Sequence, residues 1–518
     1  MSIKYNAHQF LDAQLVIPMA GKSKRFFDAG YTKPKWLINV FDKSILGHII
    51  KNNEFFSSIL LIVNNEDLLN FDLNQLSELK QENIEVVGIE AHGKGPSYSI
   101  LMAERYLKMD KKIVVHYCDV FVNWEIGKTI SDLENADAIF LSFTGFHPTR
   151  LNGTTYAYAK LFDGSLNVIE DIREKQSFTK DSNQEQASTG VYGFSSGEFL
   201  LDSIKLQVLT SNQVNGEFYT SLTLGSIIKA GGKVLMQEVE VFHGWGTPTD
   251  LHDFIYYSQS MENLHSFTKK LIPVINHNAI LLAAGKSSRL RLESNKPKQL
   301  KIVRDSLSLI DCSRFLVTNN SQVYLVAREE VYPKNLWDLP NKNIKLLPYG
   351  TESQLDSVII GLSLISDLDK TISFLATDNV IIFDKSNYID SEITLCDLLI
   401  WTSSDYPFAK KDPEKYSWVK INDEGSVEQA IRKARPPNYS EWRLVTGNFT
   451  FKSPTMLNNL INTISIDSDK FSYELMLDDL LPIAIESNFE IKTLEVSNFI
   501  TLGNKSEEDI FNYYAALI

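Results

Sequence analysis

Residues 15–37 have the sequence LVIPMAGKSKRFFDAGYTKPKWL, and residues 279–300 repeat its pattern as AILLAAGKSSRLRLESNKPKQL. In each copy an apolar run ends in Ala-Gly-Lys-Ser, and an arginine stands four residues after the glycine. A Lys-Pro-Lys triplet closes both segments. A strand that leads into a loop of small residues exposes backbone N–H groups to an anion. Both copies are therefore typical of a loop that binds phosphate groups.

The repeat divides the chain into two halves of ordinary α/β domain size. The chain has 518 residues, and the glycines of the two copies are 264 residues apart. We predict an N-terminal domain over 1–262 and a C-terminal domain over 278–518. A linker is predicted over 263–277, where polar residues and Pro273 interrupt the periodicity.

Apolar runs typical of strands alternate with segments of helical spacing in both halves. This order predicts, for each half, a Rossmann-like α/β fold with a mostly parallel sheet flanked by helices. Later in each half an alternating pattern contains Asp163-Gly164 or Glu424-Gly425, which predicts an antiparallel hairpin insertion. A helix opened by Pro96 is predicted over 96–108. The predicted strands cover 14–19, 58–63, 84–89, 112–117, 138–143, 279–284, 323–327, 344–349, 371–376 and 398–402.

Composition narrows the classes of ligand and location. A formal net charge of −14 argues against a nucleic-acid partner, because binding a polyanion requires a broad basic surface. No apolar run approaches the roughly 20 residues that span a bilayer, so we expect no membrane partner. The N-terminal segment lacks the features of a secretory signal, and the three cysteines are widely spaced. These features predict a cytoplasmic protein.

The repeated loops supply local positive charge for a small anion. Neither copy has the glycine spacing of a P-loop or of a dinucleotide-binding motif, which disfavours kinases and dehydrogenases. Arg25 and Arg289 are predicted to clamp phosphate oxygens, and Lys35 and Lys298 to lie at the α-phosphate, where charge builds as pyrophosphate leaves. The residues predicted to form the loops themselves are Ala20, Gly21, Lys22, Ala284, Gly285 and Lys286.

Both segments resemble the signature of the nucleotidyltransferase family that includes sugar-1-phosphate nucleotidyltransferases and methylerythritol-phosphate cytidylyltransferase. In the first half the resemblance continues through EAHGKGPSYSILMAE, HYCDV, IREK, STGVYGF, NGEFYTS and GWGTPTDL. It implies base recognition around Gly95, metal binding by Asp119 and a second catalytic lysine at Lys175. It further implies acceptor binding at Gly190 and Glu217, with Asp250 as a further metal ligand.

The second half resembles the cytidylyltransferase group at its start and the first half later on. GTESQLDSVIIGL implies base reading that includes Ser357, ATDNV implies a metal-binding Asp378, and IRKARPP supplies Lys433. Gly447 in VTGNF and Glu474 in SYELMLDDL match the acceptor positions. The closing motif is degraded to LGNKSEEDI, so Asp509 is a weaker candidate there than Asp250 in the first half.

The resemblance implies two tandem nucleotidyltransferase domains that couple a nucleoside triphosphate to a sugar-1-phosphate or small polyol phosphate and release pyrophosphate. Mg²⁺ is the implied cofactor, and CTP, UTP or dTTP the implied nucleotide. A role in precursor synthesis for surface polysaccharide, capsule or lipopolysaccharide, follows from the family. One alternative is a glycosyltransferase that consumes a nucleotide-sugar, and another is an active first domain with a silent, nucleotide-binding second domain. A homodimer is left open.

Overall fold

The polypeptide divides by its internal contacts into an N-terminal unit, Met1–Ile255, and a C-terminal unit, Tyr256–Ile518. Each unit contains one copy of the repeated loop. The computed structural model describes residues 11–71, 79, 81–152, 156–269, 273–285, 297–304, 307–332, 343–383, 393–465 and 474–516.

The five apolar runs that predict strands in the N-terminal half all form strands, and the structure adds others that were not predicted. Leu15 and Ile17 belong to one hydrophobic cluster and Val16 to another, because alternate side chains of a strand point to opposite faces of the sheet. Both faces are therefore buried. The strands are β1 Leu11–Pro18, β2 Asn39–Val40, β3 Lys43–Ser44, β4 Phe56–Asn64, β5 Ile84–Ile89, β6 Lys112–His116, β7 Val120–Asn123, β8 Ala138–Phe143, β9 Ala157–Leu161, β10 Ile169–Glu174, β11 Gln186–Phe194, β12 Val234–Glu238 and β13 Val241–Gly244.

The helices of the N-terminal unit begin at polar caps in several cases. The Ser44 hydroxyl accepts the N–H of Gly47 at 2.9 Å, and the Ser196 hydroxyl accepts the N–H of Phe199 at 3.0 Å. The predicted helix over 96–108 ends earlier, at Met102, and is followed by a 3₁₀ turn. The described helices of this unit are α1 Lys24–Asp28, α2 Ile45–Asn52, α3 Asn65–Asn70, α4 Pro96–Met102, α5 Ile126–Asp132, α6 Gly197–Leu209 and α7 Thr220–Lys229, and α8 Pro248–Lys269 begins in this unit and extends beyond Ile255.

The main sheet of the N-terminal unit has the order β10-β9-β11-β6-β1-β4-β5, and β8 pairs with β11 and β12. Strand β1 is parallel to both β4 and β6. The carboxyl ends of β1 and β6 therefore lie side by side, and the loops that follow them carry Gly21 and Asp119. Strands β9 and β10 form the predicted antiparallel hairpin, with Gly164 at φ 78° in its turn.

The C-terminal unit repeats this architecture. Its described strands are β14 Asn278–Ala283, β15 Ile302–Arg304, β16 Leu307–Ser308, β17 Val323–Arg328, β18 Ile344–Leu347, β19 Ile372–Ala376, β20 Asn379–Ile382, β21 Leu398–Ser403, β22 Ser417–Ile421, β23 Val427–Arg432, β24 Trp442–Phe451, β25 Ile491–Glu495 and β26 Asn498–Thr501. Its described helices are α9 Leu309–Phe315, α10 Gln354–Leu362, α11 Pro407–Lys411, α12 Pro454–Ser465, α13 Leu481–Glu486 and α14 Lys505–Ala515.

The main sheet of the C-terminal unit has the order β18-β17-β14-β19-β24-β21-β25, and β22 pairs with β23 and β24. Strand β14 is parallel to β17 and β19, as β1 is to β4 and β6. Strands β22 and β23 form the second predicted hairpin, with Gly425 at φ 78°. Two α/β units with mostly parallel central strands, flanking helices and antiparallel insertions confirm the predicted fold class.

Helix α8 continues through the first residues of the predicted linker, 263–269. Polar residues suggested a break there, but they are compatible with a helix, and Pro273 stands beyond the helix end and so does not interrupt it. Among the residues that the structure describes, no helix is long and apolar enough to cross a membrane.

Candidate functional site

The loop after β1 lies open at the carboxyl end of the central strands. Ala20 is buried beneath it, whereas Gly21, Lys22 and Arg25 are exposed. A β-carbon added at Gly21 would meet no neighbouring atom, so the space above the backbone is vacant. The loop can therefore receive an anion without moving a side chain.

Lys35 lies beside Asp119 in this unit. The lysine follows Pro34 in a 3₁₀ turn, and its backbone N–H donates to the Ser23 hydroxyl at 3.0 Å, which ties the turn to the loop after β1. Its Nζ lies 2.5 Å from Oδ2 of Asp119. Burial alone would lower the pKa of Lys35, but the Asp119 carboxylate raises it above the ordinary value. The pair is a charged ammonium and carboxylate at the end of β1 and β6.

The second unit contains the equivalent pair. Nζ of Lys298 lies 2.6 Å from Oδ2 of Asp378, and both side chains are partly accessible, at 18% and 34%. Ala284 is buried and Gly285 exposed, as their counterparts are in the first loop. Lys286 and Arg289 lie outside the described residues.

A magnesium ion fits this donor set only together with substrate. Among the described residues, no three or more His, Cys, Asp and Glu side chains form a group that could hold a metal. Mg²⁺ usually binds through one or two carboxylates and completes its octahedron with water and substrate phosphates. Asp119 and Asp378 each offer one such carboxylate. The residues present therefore fit an ion that is shared with a bound triphosphate, not one held by protein alone.

Asp250 occupies a helix start. Its backbone N–H donates to the Thr247 hydroxyl at 3.1 Å, and that hydroxyl donates to Oδ2 of Asp250 at 2.6 Å. This arrangement caps the first turn of α8. The same segment lies against Asp119, whose carbonyl accepts the Trp245 N–H at 2.8 Å. Metal ligation by Asp250 stays a prediction.

The closing segments of the two units can be matched by their backbone hydrogen bonds. The Leu502 N–H donates to the Asp378 carbonyl at 3.0 Å, as the Trp245 N–H does to the Asp119 carbonyl. From this match, the counterpart of Asp250 is Glu507 and not Asp509. Residue type alone favours Asp509, because it is an aspartate like Asp250. The backbone hydrogen bonds instead place Glu507 at the equivalent position.

Glu507 is held in place by several hydrogen bonds. Its Oε2 accepts the N–H groups of Gly503 at 2.7 Å and Asn504 at 3.1 Å, and its Oε1 accepts the Tyr416 hydroxyl. The side chain is buried, and burial raises its pKa. Asp509 instead forms an ion pair with Lys505 at 3.1 Å.

Lys175 and Lys433 occupy equivalent backbone positions. Both are left-handed, with φ of 57° and 46°, directly after the second strand of their hairpins. The Lys175 N–H donates to the Tyr156 carbonyl at 2.9 Å, and the Lys433 N–H to the Tyr416 carbonyl at 3.0 Å. The side chains differ, because Nζ of Lys175 donates to the Tyr219 hydroxyl at 2.5 Å whereas Lys433 is exposed.

The predicted base-reading segments contact the predicted acceptor segments. Gly95 has φ 88°, and a β-carbon there would come within 2.8 Å of the Phe218 backbone, so only glycine fits. This contact brings Gly95 next to Glu217, whose Cβ lies 3.1 Å from the same position.

In the second unit, Ser357 is buried and shares a hydrogen bond of 2.8 Å with Thr351, whose N–H donates to the Ala284 carbonyl at 3.2 Å. The segment predicted to read the base is thereby joined to the start of the loop predicted to bind phosphate. Glu474 is exposed, and its carbonyl accepts a hydrogen bond from Arg432 at 3.0 Å.

Gly190 and Gly447 are left-handed positions in the middle of β11 and β24, with φ of 82° and 85°. The Gly190 carbonyl accepts the Tyr117 N–H at 3.0 Å and so fixes the chain just before Asp119. Acceptor binding at both glycines stays a prediction.

Sequence reasoning missed Glu174 and Tyr219. The Glu174 carboxylate accepts the Ser221 hydroxyl at 2.5 Å, and burial raises its pKa to about 7. Both residues stand inside the quoted motifs IREK and NGEFYTS. Their roles depend on contacts between distant strands and helices, which no local spacing indicates.

One protein family matches part of the chain. Residues 15–176 match the MobA-like NTP transferase domain, a range that includes Lys35, Asp119 and Lys175. No curated protein matches the chain.

Solved structures with similarity to the chain include a nucleoside-diphosphate-sugar pyrophosphorylase from Vibrio cholerae RC9, at 22% identity and TM-score 0.39 over 46% of this chain and 99% of that one. An inositol-1-phosphate CTP transferase from T. maritima matches at 15% identity and TM-score 0.34, over 47% and 92%. An apo UDP-glucose pyrophosphorylase matches at 14% identity and TM-score 0.38, over 46% and 96%.

The predicted resemblance and the predicted enzyme class are confirmed at the level of the family. Residues 15–176, which include Lys35, Asp119 and Lys175, match the MobA-like NTP transferase domain, and this match supports the assignment of the chain as a nucleotidyltransferase enzyme.

Proposed function

We propose that the N-terminal unit transfers a nucleotidyl group from a nucleoside triphosphate to a sugar-1-phosphate or small polyol phosphate. The observation that carries the proposal is the 2.5 Å pair of Lys35 and Asp119 beside an open phosphate loop. An ammonium next to a potential metal ligand suits a reaction in which charge moves among phosphate oxygens.

The reaction balances without a covalent enzyme intermediate. A phosphate oxygen of the acceptor attacks the α-phosphorus, the new P–O bond forms, and the bond between the α-phosphorus and the α,β-bridging oxygen breaks to release pyrophosphate. The loop after β1 binds the triphosphate through backbone N–H groups, and Arg25 neutralises its oxygens. Lys35 exchanges its hydrogen bond to Asp119 for one to an α-phosphate oxygen. Lys175 neutralises the negative charge of the acceptor phosphate.

Asp119, with Asp250 as a further candidate, would hold Mg²⁺, which supplies charge neutralisation on the triphosphate when bound. The C-terminal unit is proposed to bind a nucleotide through Lys298 and Asp378 in the same manner. The retained 2.6 Å pair favours a working phosphate site there. CTP, UTP or dTTP as donor, and a role in surface-polysaccharide precursor synthesis in the cytoplasm, are parts of the proposal that come from the sequence resemblance.

The test is pyrophosphate release by the full chain with Mg²⁺, the five common nucleoside triphosphates and a panel of sugar and polyol phosphates. Lys35→Ala and Lys298→Ala are compared with Lys229→Ala, which removes an exposed lysine at the end of α7. We expect acceptor-dependent release that Lys35→Ala abolishes and Lys229→Ala leaves intact. Loss divided between the two variants by substrate would assign an activity to each unit. Transfer from a nucleotide-sugar without pyrophosphate release would overturn the proposal in favour of a glycosyltransferase.

A further inference from the structure

Tyr219 contacts the side chain of Lys175. Its Nζ lies 2.5 Å from the Tyr219 hydroxyl oxygen and 4.5 Å from the ring centroid. The ammonium is therefore at the hydroxyl end of the ring and makes a hydrogen bond, not a contact with the ring face. Because the backbone of Lys175 is also fixed, at φ 57° and by its bond to the Tyr156 carbonyl, both ends of the lysine are constrained.

Tyr219 is itself fixed by the protein. It is the residue before the first turn of α7, and its carbonyl accepts Nε2 of Gln207 at 3.0 Å. The N–H of the next residue, Thr220, donates to the Tyr117 hydroxyl at 3.1 Å. A tyrosine with a fixed backbone and a half-buried ring has few rotamers, so its hydroxyl marks a defined point in the site.

Tyr219 also connects Lys175 to the base-reading segment. The Glu217 carboxylate lies next to the Tyr219 hydroxyl and, after burial, is the main cause of its raised pKa. Between them, Phe218 accepts the Ser97 N–H at 3.1 Å and donates to the Lys94 carbonyl at 2.8 Å. The lysine predicted for the acceptor phosphate and the segment predicted for the base therefore share one rigid connection.

The C-terminal unit lacks this tyrosine. Its Leu355 N–H donates to the Leu475 carbonyl at 3.1 Å, as the Ser97 N–H does to the Phe218 carbonyl. The residue after Leu475 is Met476, so a thioether, which is a weak acceptor, stands where the first unit has a phenol. Lys433, the counterpart of Lys175, is exposed.

We infer that Tyr219 is a positioning residue of the N-terminal unit, which holds the Lys175 ammonium where the acceptor phosphate binds. The part of this inference that concerns the acceptor phosphate rests on the proposed function. The hydrogen bond between Lys175 and Tyr219 rests on the structure alone. The inference does not extend to the C-terminal unit, where Met476 stands at the equivalent position and Lys433 is exposed.

The kinetic test compares Tyr219→Phe, Lys175→Ala and the double variant in the full chain. Removal of a hydrogen bond to a charged group should lower kcat with the acceptor by roughly tenfold. The KM for the nucleotide should stay unchanged. If Tyr219 acts through Lys175, the double variant is no slower than Lys175→Ala. Tyr106→Phe is the matched control. The Tyr106 hydroxyl also accepts a hydrogen bond from a cationic side chain, that of Arg105, at 2.7 Å, but it lies outside the site. Additive losses would overturn the inference.

A second measurement does not depend on turnover. Acetylation of Lys175 by a limiting amount of an N-hydroxysuccinimide ester, followed by mass spectrometry, reports how freely its amine reacts. Tyr219→Phe should raise the labelling rate of Lys175 by roughly tenfold and leave that of Lys433 unchanged. An unchanged rate at Lys175 would overturn the inference. If the wild-type chain releases no pyrophosphate, the proposed function fails, and the labelling rate alone decides whether Tyr219 holds the lysine.

Discussion

Gly246 lies against the carboxylate of Asp119: a β-carbon at position 246 would stand 3.2 Å from Oδ2. The glycine therefore keeps room for the carboxylate in the orientation that Lys35 contacts. We expect Gly246→Ala to shift the carboxylate and to lower kcat/KM for pyrophosphate release by roughly tenfold, since small displacements of charged groups are costly in such sites. The melting temperature should change little.

Gly225→Ala is the matched control for that variant. A β-carbon there meets no neighbouring atom, and the position lies inside α7, where alanine is the better helix former. Full activity in Gly225→Ala and in Gly246→Ala alike would show that Asp119 does not need its present orientation.

The pair of Lys35 and Asp119 should couple in stability as well as in activity. Both side chains are largely buried, with 23% and 19% exposed, so Asp119→Ala leaves an ammonium without its counter-charge. We expect a loss of about 2 kcal/mol in the free energy of unfolding, measured with urea. Lys35→Met in the same background should recover part of this loss. No recovery in the double variant would mean that the two side chains act independently.

Glu174 should make stability depend on pH. Burial raises its pKa to about 7, so the folded unit prefers the protonated form. The protonated Glu174 therefore contributes fully to the free energy of unfolding at a pH below the ordinary pKa of a glutamate. This contribution is lost as the pH rises from that ordinary pKa to above 7. Glu174→Gln keeps an acceptor for Ser221 and removes the titration.

Urea unfolding at pH 5 and pH 8 measures this effect as the difference between variant and wild type. Between pH 5 and pH 8, we expect the free energy of unfolding of Glu174→Gln to rise by roughly 1–3 kcal/mol relative to that of the wild type. Glu198→Gln, at an exposed position, serves as the control. A difference that does not change with pH would contradict the buried, protonated carboxyl.

Gly190 and Gly447 offer the same substitution in two environments. Both are left-handed, but a β-carbon at Gly190 would come within 3.0 Å of the Tyr117 ring, whereas at Gly447 it would stay 3.6 Å from Ala376. Backbone strain should cost each alanine variant roughly 1 kcal/mol in the free energy of unfolding. Gly190→Ala should lose more, because Tyr117 must also move. Equal losses in thermal or urea unfolding would contradict this ranking.

Much of the fold could be predicted from the sequence because its strands are apolar runs in regular alternation. The predicted strand over 84–89 coincides with β5, and the turns at Gly164 and Gly425 lie where Asp-Gly and Glu-Gly predict them. Helix α8 was not predicted, because its polar residues resemble a linker when only periodicity is considered.

The site was predictable where it depends on motifs and not where it depends on contacts between distant segments. Lys35 and Asp119 are 84 residues apart in sequence, yet their motifs predicted a common site and the structure brings them together. Tyr219 holds Lys175 across 44 residues, a contact set by how α7 packs on the hairpin. The match of Glu507 to Asp250 likewise needs the backbone hydrogen bonds of the closing segments.

The proposed reaction joins a nucleotide to a phosphate ester with loss of pyrophosphate. ³¹P NMR of a reaction with nucleoside triphosphate, acceptor phosphate and Mg²⁺ tests it most directly, because every phosphorus-containing product is seen at once. We expect a diphosphate-linked nucleotide and pyrophosphate to appear in equal amounts, and neither to appear with Lys35→Ala. Orthophosphate with nucleoside diphosphate, or a nucleotide product formed without the acceptor, would contradict it.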